Sequence, residues 1–135
     1  RGTPGNNALE IYDGDLNLNG KSLYLGRNGN ATGVVIGSQP IEIFSATPTF
    51  FNFEGTGDKV ISSPLGGSLE FDDQITVTIS SGVDFGPSLT TVNATLELRA
   101  GSFVNGNAPI YGLAGVLVYN TGGMGWYQWK SGISQ

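Results

Sequence analysis

The first forty-odd residues of the chain contain an apolar-x-apolar triplet that recurs between turn residues. Three of the four steps between successive triplets are seven residues long, and one is longer. Each triplet places two apolar side chains on one face of a short strand. The triplets are Leu9-Glu10-Ile11, Leu16-Asn17-Leu18, Leu23-Tyr24-Leu25, Val34-Val35-Ile36 and Ile41-Glu42-Ile43.

Strands of this length cannot enclose a hydrophobic core by themselves. Asp13-Gly14, Asn19-Gly20 and Asn28-Gly29 separate them with residues that accept a positive φ. The strands must therefore stack along an axis. They can do so within one chain, as a β-solenoid, or between chains, as an intertwined fibre.

The character of the chain changes near residues 45–49, where a phenylalanine-rich passage begins. Residues 1–46 are expected to form a repetitive shaft or collar, and residues 47–135 a head domain. Candidate strands in the head lie at residues 59–62, 68–71, 74–80 and 89–99. Residues 74–80 alternate polar and apolar side chains, which favours half-buried strands of an antiparallel sheet.

The expected fold class is therefore all-β, with a β-helical or intertwined segment followed by a β-sandwich-like head. Near the end, residues 115–121 and 126–132 are β-type runs separated by Gly122-Gly123-Met124-Gly125. Two such runs around a glycine turn predict a terminal hairpin. No segment has the periodicity of an amphipathic helix.

The composition excludes several classes of function. The chain has no cysteine and no histidine, which rules out Ser-His-Asp and Cys-His nucleophiles and the common zinc sites within it. Its net charge is −5 and its six basic residues are scattered, so nucleic acid is not an expected partner. No apolar run approaches the roughly 20 residues of a membrane span, so membrane insertion is not expected. The start at Arg1, without a leader, indicates a fragment or a processed product.

One motif matches the first half of a calcium loop. Asp15-x-Asn17-x-Asn19-Gly20 has the oxygen spacing of the D-x-N-x-N-G type. Position twelve of that loop should be a carboxylate, but here it falls on Gly26. Leucines also alternate with the oxygen-bearing residues, so we expect a solvent-facing strand and neither a metal nor a cofactor.

Glu70, Asp72 and Asp73 form a local carboxylate cluster. Glycoside hydrolysis requires a pair of carboxylates roughly 5 to 10 Å apart. An Asp-Asp pair between two strands is more commonly a turn, so we assign no catalytic residue and expect a protein that is not an enzyme.

Five aromatic residues are concentrated near the end of the chain: Tyr111, Tyr119, Trp126, Tyr127 and Trp129. In a strand, Trp126 lies on one face while Tyr127 and Trp129 lie on the other, so at least one bulky ring should be exposed. Such rings can stack on sugars, which makes these five the candidate ligand-binding residues. The alternative interpretation is that they seal a core or a subunit interface.

Two passages resemble known fibre sequences. Shaft segments of bacteriophage tail fibres and related trimeric viral fibres are similar to Gly14-Asp15-Leu16-Asn17-Leu18-Asn19-Gly20-Lys21-Ser22-Leu23-Tyr24-Leu25-Gly26. The ending LVYNT followed by Y-x-W-x-G, seen in phage fibres and bacterial surface repeat proteins, resembles residues 115–121 and 126–132. Lys130-Ser131 replaces the usual acidic residue before the final glycine.

The resemblance implies a homotrimer in which three chains wind in parallel. It implies a tail appendage of a virion whose C-terminal head binds a host-surface polysaccharide or an outer-membrane protein. Two other functions stay open: a polysaccharide-degrading tailspike module that uses carboxylates such as Glu70, and a secreted, monomeric carbohydrate-binding or adhesin β-sandwich.

Overall fold

A computed structural model describes residues 7–27 and 32–120 of the chain. These residues form short β-strands, and they contain no helix, so none that could cross a bilayer. The strands are β1 (Asn7–Ile11), β2 (Leu16–Asn17), β3 (Leu23–Leu25), β4 (Thr32–Ile36), β5 (Pro40–Phe44), β6 (Thr49–Phe53), β7 (Lys59–Ser62), β8 (Ser68–Phe71), β9 (Ile75–Ile79), β10 (Gly82–Asp84), β11 (Thr90–Val92), β12 (Thr95–Arg99), β13 (Phe103–Val104), β14 (Ile110–Tyr111) and β15 (Val116–Asn120).

Every third strand joins the same sheet. Sheet A has the order β1-β4-β7-β10-β13, sheet B contains β2, β5, β8, β11 and β14, and sheet C contains β3, β6, β9, β12 and β15. All neighbouring strands are parallel. The chain is therefore a three-sided β-solenoid of five coils, about 19 Å tall at the usual strand spacing. The all-β class and the solenoid within one chain are confirmed.

Each coil turns three corners, which we name by the sheets that they join. The A–B corners are residues 12–15, 37–39, 63–67, 85–89 and 105–109. The B–C corners connect β2 to β3 and the equivalent strands of later coils, and the C–A corners connect β3 to β4 and its equivalents. Because the chain turns through three corners before it returns, each strand meets its neighbour from the coil before in the same direction.

The core consists of apolar side chains that stack from coil to coil inside the solenoid. The register of sheet C aligns Leu23, Phe51, Val77, Leu96 and Leu117, and that of sheet B aligns Leu16, Ile43, Phe71, Val92 and Tyr111. The ring of Phe51 lies 5.2 Å from Phe53 and 5.0 Å from Phe71 between centroids. Complete burial of one such side chain contributes about 1.5–3 kcal/mol.

The five triplets supply the inner faces of β1 to β5. Val34, Ile36, Ile41 and Ile43 are buried, as are Leu18 and Leu25. The middle residues of the triplets point outward, since Glu10, Asn17 and Tyr24 are exposed. Alternation within each triplet therefore identified the inward side chains correctly.

The antiparallel sheet expected after residue 46 is not found in the described residues. β6 pairs in parallel with β3 on one side and with β9 on the other. Described strands from both sides of residue 46 thus share the same sheets, and residues 47–120 form no β-sandwich-like head. The expectation was wrong because alternation shows which side chains are buried but not the direction of the neighbouring strand.

Two strands predicted from the sequence also differ in the structure. Residues 89–99, expected as one strand, form β11 in sheet B and β12 in sheet C, with a corner between them. β15, expected in a hairpin, pairs in parallel with β12. The second strand of that hairpin lies outside the described residues.

A buried lysine begins β7, directly after the C–A corner that connects the second coil to the third. Lys59 is completely buried, and its Nζ donates hydrogen bonds to the carbonyl oxygen of Gly57 and, at 3.0 Å, to Oγ of Ser81. Ser81 Oγ in turn donates to the Gly57 oxygen at 3.0 Å. Burial lowers the pKa of Lys59, and the nearby Asp58 carboxylate opposes that shift.

Candidate binding site

A groove of about 490 Å³ lies between the A–B corners of the third and fourth coils. Its floor is the outer face of β7 and the end of β10, and its walls are residues 63–67 and 86–89. The lining residues are Val60, Ile61, Ser62, Ser63, Pro64, Gly66, Gly67, Asp84, Gly86, Pro87, Ser88 and Leu89. Glycine, proline and serine in both walls predict loops and no binding motif.

The first wall is fixed to the preceding coil. Ser63 Oγ donates a 2.8 Å hydrogen bond to the carbonyl oxygen of Gly37, and the Gly67 amide donates to the same oxygen at 3.0 Å. A Cβ on Gly67 would lie 2.3 Å from that oxygen, so this close backbone approach requires glycine. The wall therefore has a defined position before any ligand arrives.

The second wall is fixed to the following coil through Asp84. Its Oδ1 accepts hydrogen bonds from the amide of Gly86 at 2.9 Å, from the amide of Asn107 at 3.1 Å and from Nδ2 of Asn107 at 3.0 Å. Thr90 Oγ1 also donates to the carbonyl oxygen of Phe85 at 2.6 Å. Asp84 thus positions the wall.

The lining of the groove presents hydroxyl and apolar groups that a ligand can contact. The hydroxyls of Ser62 and Ser88 make no hydrogen bond with another described residue, whereas Val60, Pro64 and Pro87 offer apolar surface. No basic residue is among the lining residues, and Asp84 is the acidic one. Groups of this kind can hydrogen-bond hydroxyls and contact C–H faces, so the groove suits an uncharged, polyhydroxylated ligand.

A carboxylate cluster lies on the outer face of sheet B, away from the groove lining. Glu42 in β5 is directly opposite Glu70 in β8, and its amide donates a 2.8 Å hydrogen bond to Oδ1 of Asp15. Burial raises the pKa of Glu42, and the carboxylates of Asp72, Asp15 and Glu70 raise it further. Glu42 was missed as a member of this cluster because only the register of β5 and β8 brings it beside Glu70.

Asp72 and Asp73 form the turn that their sequence predicts. The Ile75 amide donates a 2.9 Å hydrogen bond to the carbonyl oxygen of Asp72, and Asp73 Oδ1 accepts one from Nε2 of Gln74 at 3.2 Å. Glu70 and Asp72 thus lie around Glu42, whereas Asp73 is exposed in the corner.

Two side-chain oxygens of the calcium-like motif accept hydrogen bonds from backbone amides. Asp15 Oδ1 accepts from the Glu42 amide, and Asn17 Oδ1 accepts from the Asn19 amide at 2.8 Å. In the described part of the chain, no group of three or more acidic side chains is placed to hold a metal ion.

Two of the five candidate aromatic residues belong to the end of the core. Tyr111 aligns with Val92 and Tyr119 with Leu98, and both rings pack against the buried cluster. Burial raises the pKa of Tyr111 to about 12, with a smaller contribution from Tyr119, whose own pKa is also raised by burial. Neither tyrosine lines the groove. Trp126, Tyr127 and Trp129 lie outside the described residues.

Comparisons of the chain with protein-family models, with curated proteins and with solved structures found no match. Its function has therefore to be argued from the solenoid and its groove.

Proposed function

We propose that this chain is the receptor-binding part of a fibre, and that it attaches a virion to a polysaccharide on the host-cell surface. The groove beside the A–B corners carries this proposal. It has walls fixed by hydrogen bonds to the coils before and after, and hydroxyls that are free to bind a ligand. Fixed walls favour binding because little conformational entropy is lost when the ligand arrives.

The form of the molecule agrees with this function. A solenoid is a rigid rod whose length grows with each coil, and successive corners face the same side of it. A polysaccharide repeats along its own length, so a corner groove on a rod can contact a segment of it. Recognition is thereby assigned to the solenoid itself and not to a β-sandwich head.

We include the homotrimer, the virion appendage and the extracellular location in the proposal. The apolar side chains of one chain fill the interior of its own solenoid. Three chains would therefore associate through outer faces of their solenoids. An outer-membrane protein is the alternative receptor, and a secreted monomeric adhesin is the alternative setting for the same groove.

The test is binding of the whole chain to a panel of immobilised bacterial capsular polysaccharides and lipopolysaccharides. We expect saturable binding to some members of the panel, with the length of the soluble polysaccharide unchanged after incubation. Absence of binding to every polysaccharide, together with binding to outer-membrane protein preparations, would transfer the proposal to a protein receptor.

The second candidate function is polysaccharide cleavage on the outer face of sheet B. The register favours it, because Glu42 lies directly opposite Glu70 and near Asp72, and cleavage requires a pair of carboxylates. The pKa of Glu42 is raised by burial and by these neighbours, which is the direction that a general acid needs. In that case the polysaccharide would shorten on incubation, and Glu42→Gln would abolish the shortening. Retained binding with unchanged polysaccharide length would exclude cleavage.

A further inference from the structure

The described charges divide unevenly among the three sides of the solenoid. The outer face of sheet B carries Glu42 and Glu70, with Asp15 and Asp72 at its corners. Of the two ion pairs between described side chains, Arg27–Glu54 lies at a C–A corner beside sheet C, and Glu97–Arg99 lies on the outer face of sheet C itself, in β12. A chain of net charge −5 repels its own copies wherever acidic faces meet, so copies meet with less repulsion on sheet C, where each acid is paired with a base, than on sheet B.

Each of those ion pairs contains one acid and one base. Arg27 Nε lies 3.1 Å from Glu54 Oε2, next to the Tyr24 ring, and Arg99 Nε lies 3.4 Å from Glu97 Oε1. Both arginines are substantially exposed. A second copy could exchange partners with them, because Glu54 and Glu97 are complementary to the arginines of a neighbour.

Apart from Glu97 and Arg99, the described outward side chains of sheet C are uncharged. The register aligns Phe50, Thr76, Thr95 and Val116 in one row across the sheet. Phe50 is 43% exposed and Val116 is 51% exposed, although both side chains are apolar. Large exposed apolar groups in a β-branched row are typical of a contact surface.

The polar groups in the middle of this face already have partners. Thr78 Oγ1 donates a 2.6 Å hydrogen bond to Oδ1 of Asn52, and Asn52 Nδ2 donates a 3.1 Å bond to the carbonyl oxygen of Leu23. Glu97, in register with Thr78, accepts a 2.8 Å hydrogen bond from Nδ2 of Asn120 and pairs with Arg99. Covering the face would therefore leave none of these side chains without a partner, which lowers the cost of burying polar groups.

We propose that copies of this chain associate through the outer face of sheet C, which we define by the outward side chains of β3, β6, β9, β12 and β15. This inference rests on the proposed function, which includes a homotrimer, and it names the surface through which that homotrimer forms. The flat face measures about 19 by 17 Å, well below the area of a standard interface, so the flanking corners with Arg27 and Glu54 belong to the contact. The association should accordingly depend on protein concentration and weaken in high salt.

The test is the molar mass of the whole chain, measured by sedimentation equilibrium up to its solubility limit. Thr95→Lys places a cation in the middle of the row on sheet C, and Val116→Lys does so at a more exposed position. Thr91→Lys is the matched control, since Thr91 is a half-buried, outward threonine on sheet B. Circular dichroism and a cooperative thermal transition check that each variant folds.

We expect a mass near three chains for the wild type and for Thr91→Lys, and a mass near one chain for Thr95→Lys and Val116→Lys. A monomeric wild type overturns the inference, and so does an oligomer that neither sheet C variant dissociates or that Thr91→Lys dissociates equally. Polysaccharide binding is measured on the same samples. A monomer that binds would overturn the contact surface and the homotrimer but leave polysaccharide attachment standing, and a trimer that binds no receptor would overturn the attachment alone.

Discussion

Thr78 and Asn52 are neighbours in the register of sheet C, and the Thr78 hydroxyl donates a 2.6 Å hydrogen bond to the Asn52 amide oxygen. The Asn52 amide nitrogen continues the chain of hydrogen bonds to the Leu23 carbonyl oxygen. Both polar side chains point outward from the core, yet Asn52 is 2% exposed and Thr78 is fully buried. Three successive coils are thus joined by side-chain hydrogen bonds in addition to the backbone ladder.

Asn52→Ala should lower the free energy of unfolding by about 1–3 kcal/mol, because it leaves the buried Thr78 hydroxyl and the Leu23 oxygen without these partners. The measurement is urea denaturation. Asn105→Ala is the matched control, since Asn105 is exposed and its side-chain Nδ2 donates to Oδ2 of Asp58 at 3.2 Å. The control should change stability by less than about 0.5 kcal/mol. Equal effects of the two changes would contradict the buried chain of hydrogen bonds.

Gly67→Ala should cost about 3 kcal/mol, the upper part of the range for overpacking, because a Cβ there would meet the backbone oxygens of Gly37 and Gln39. Gly14→Ala is the control. Gly14 has a φ of 76° with open space around it, so its substitution should cost only the backbone strain, about 1 kcal/mol. Thermal unfolding followed by circular dichroism compares them, and a Gly67 variant as stable as the Gly14 variant would show that the two coils are not in this close contact.

The pH dependence of stability should reveal Lys59. Its pKa is lowered in the folded state, so the unfolded state binds the proton more tightly between that lowered value and the ordinary 10.5. Stability should therefore rise with pH as it passes through this interval. Lys59→Met should remove the rise, with a small effect at neutral pH because Ser81 Oγ still donates to Gly57. Urea midpoints from neutral pH to pH 10 test this, and an unchanged rise in the variant would assign it to another group.

Tyr111 should act in the opposite direction at higher pH. Its pKa is about 12 in the folded state against the ordinary value of 10.0, so the unfolded state loses the proton first. The contribution of Tyr111 to stability is fully present below pH 10 and is lost as the pH rises toward 12. In Tyr111→Phe the decline should be shallower. The titration is followed by ultraviolet absorption together with urea unfolding, and a decline as steep as in the wild type would contradict burial of this phenol.

The sequence predicted which side chains face the core of the solenoid better than it predicted how the strands pair. Triplets such as Ile41-Glu42-Ile43 identify inward side chains because alternation in a strand depends on local geometry alone. Pairing depends on how many residues each coil contains, and this number varies: Leu23 aligns with Phe51, Phe51 with Val77, and Val77 with Leu96. Unequal coils hide the repeat, which is why the sequence predicts an antiparallel head for residues 47–135.

The candidate site was missed for the same reason. Ser62 and Ser88 become neighbours only when the A–B corners of successive coils are aligned, and neither corner has a motif of its own. A signal was present, since each of the two corners contains an adjacent serine and proline, Ser63-Pro64 and Pro87-Ser88. Ring stacking on sugars made five aromatic residues candidates. Of these, Tyr111 and Tyr119 are partly buried and pack against the core, and Trp126, Tyr127 and Trp129 lie outside the described residues.

The most direct test of the central claim compares polysaccharide binding by the wild type, by Ser62→Tyr and by Thr91→Tyr. Ser62→Tyr fills the groove with a ring, while Thr91→Tyr adds the same ring at a half-buried, outward position on sheet B. Surface plasmon resonance on the immobilised polysaccharide that binds the wild type gives the three affinities. We predict that Ser62→Tyr loses binding at least about tenfold, a change of about 1.4 kcal/mol, while Thr91→Tyr binds like the wild type. Equal affinity of Ser62→Tyr and the wild type would contradict attachment through the groove.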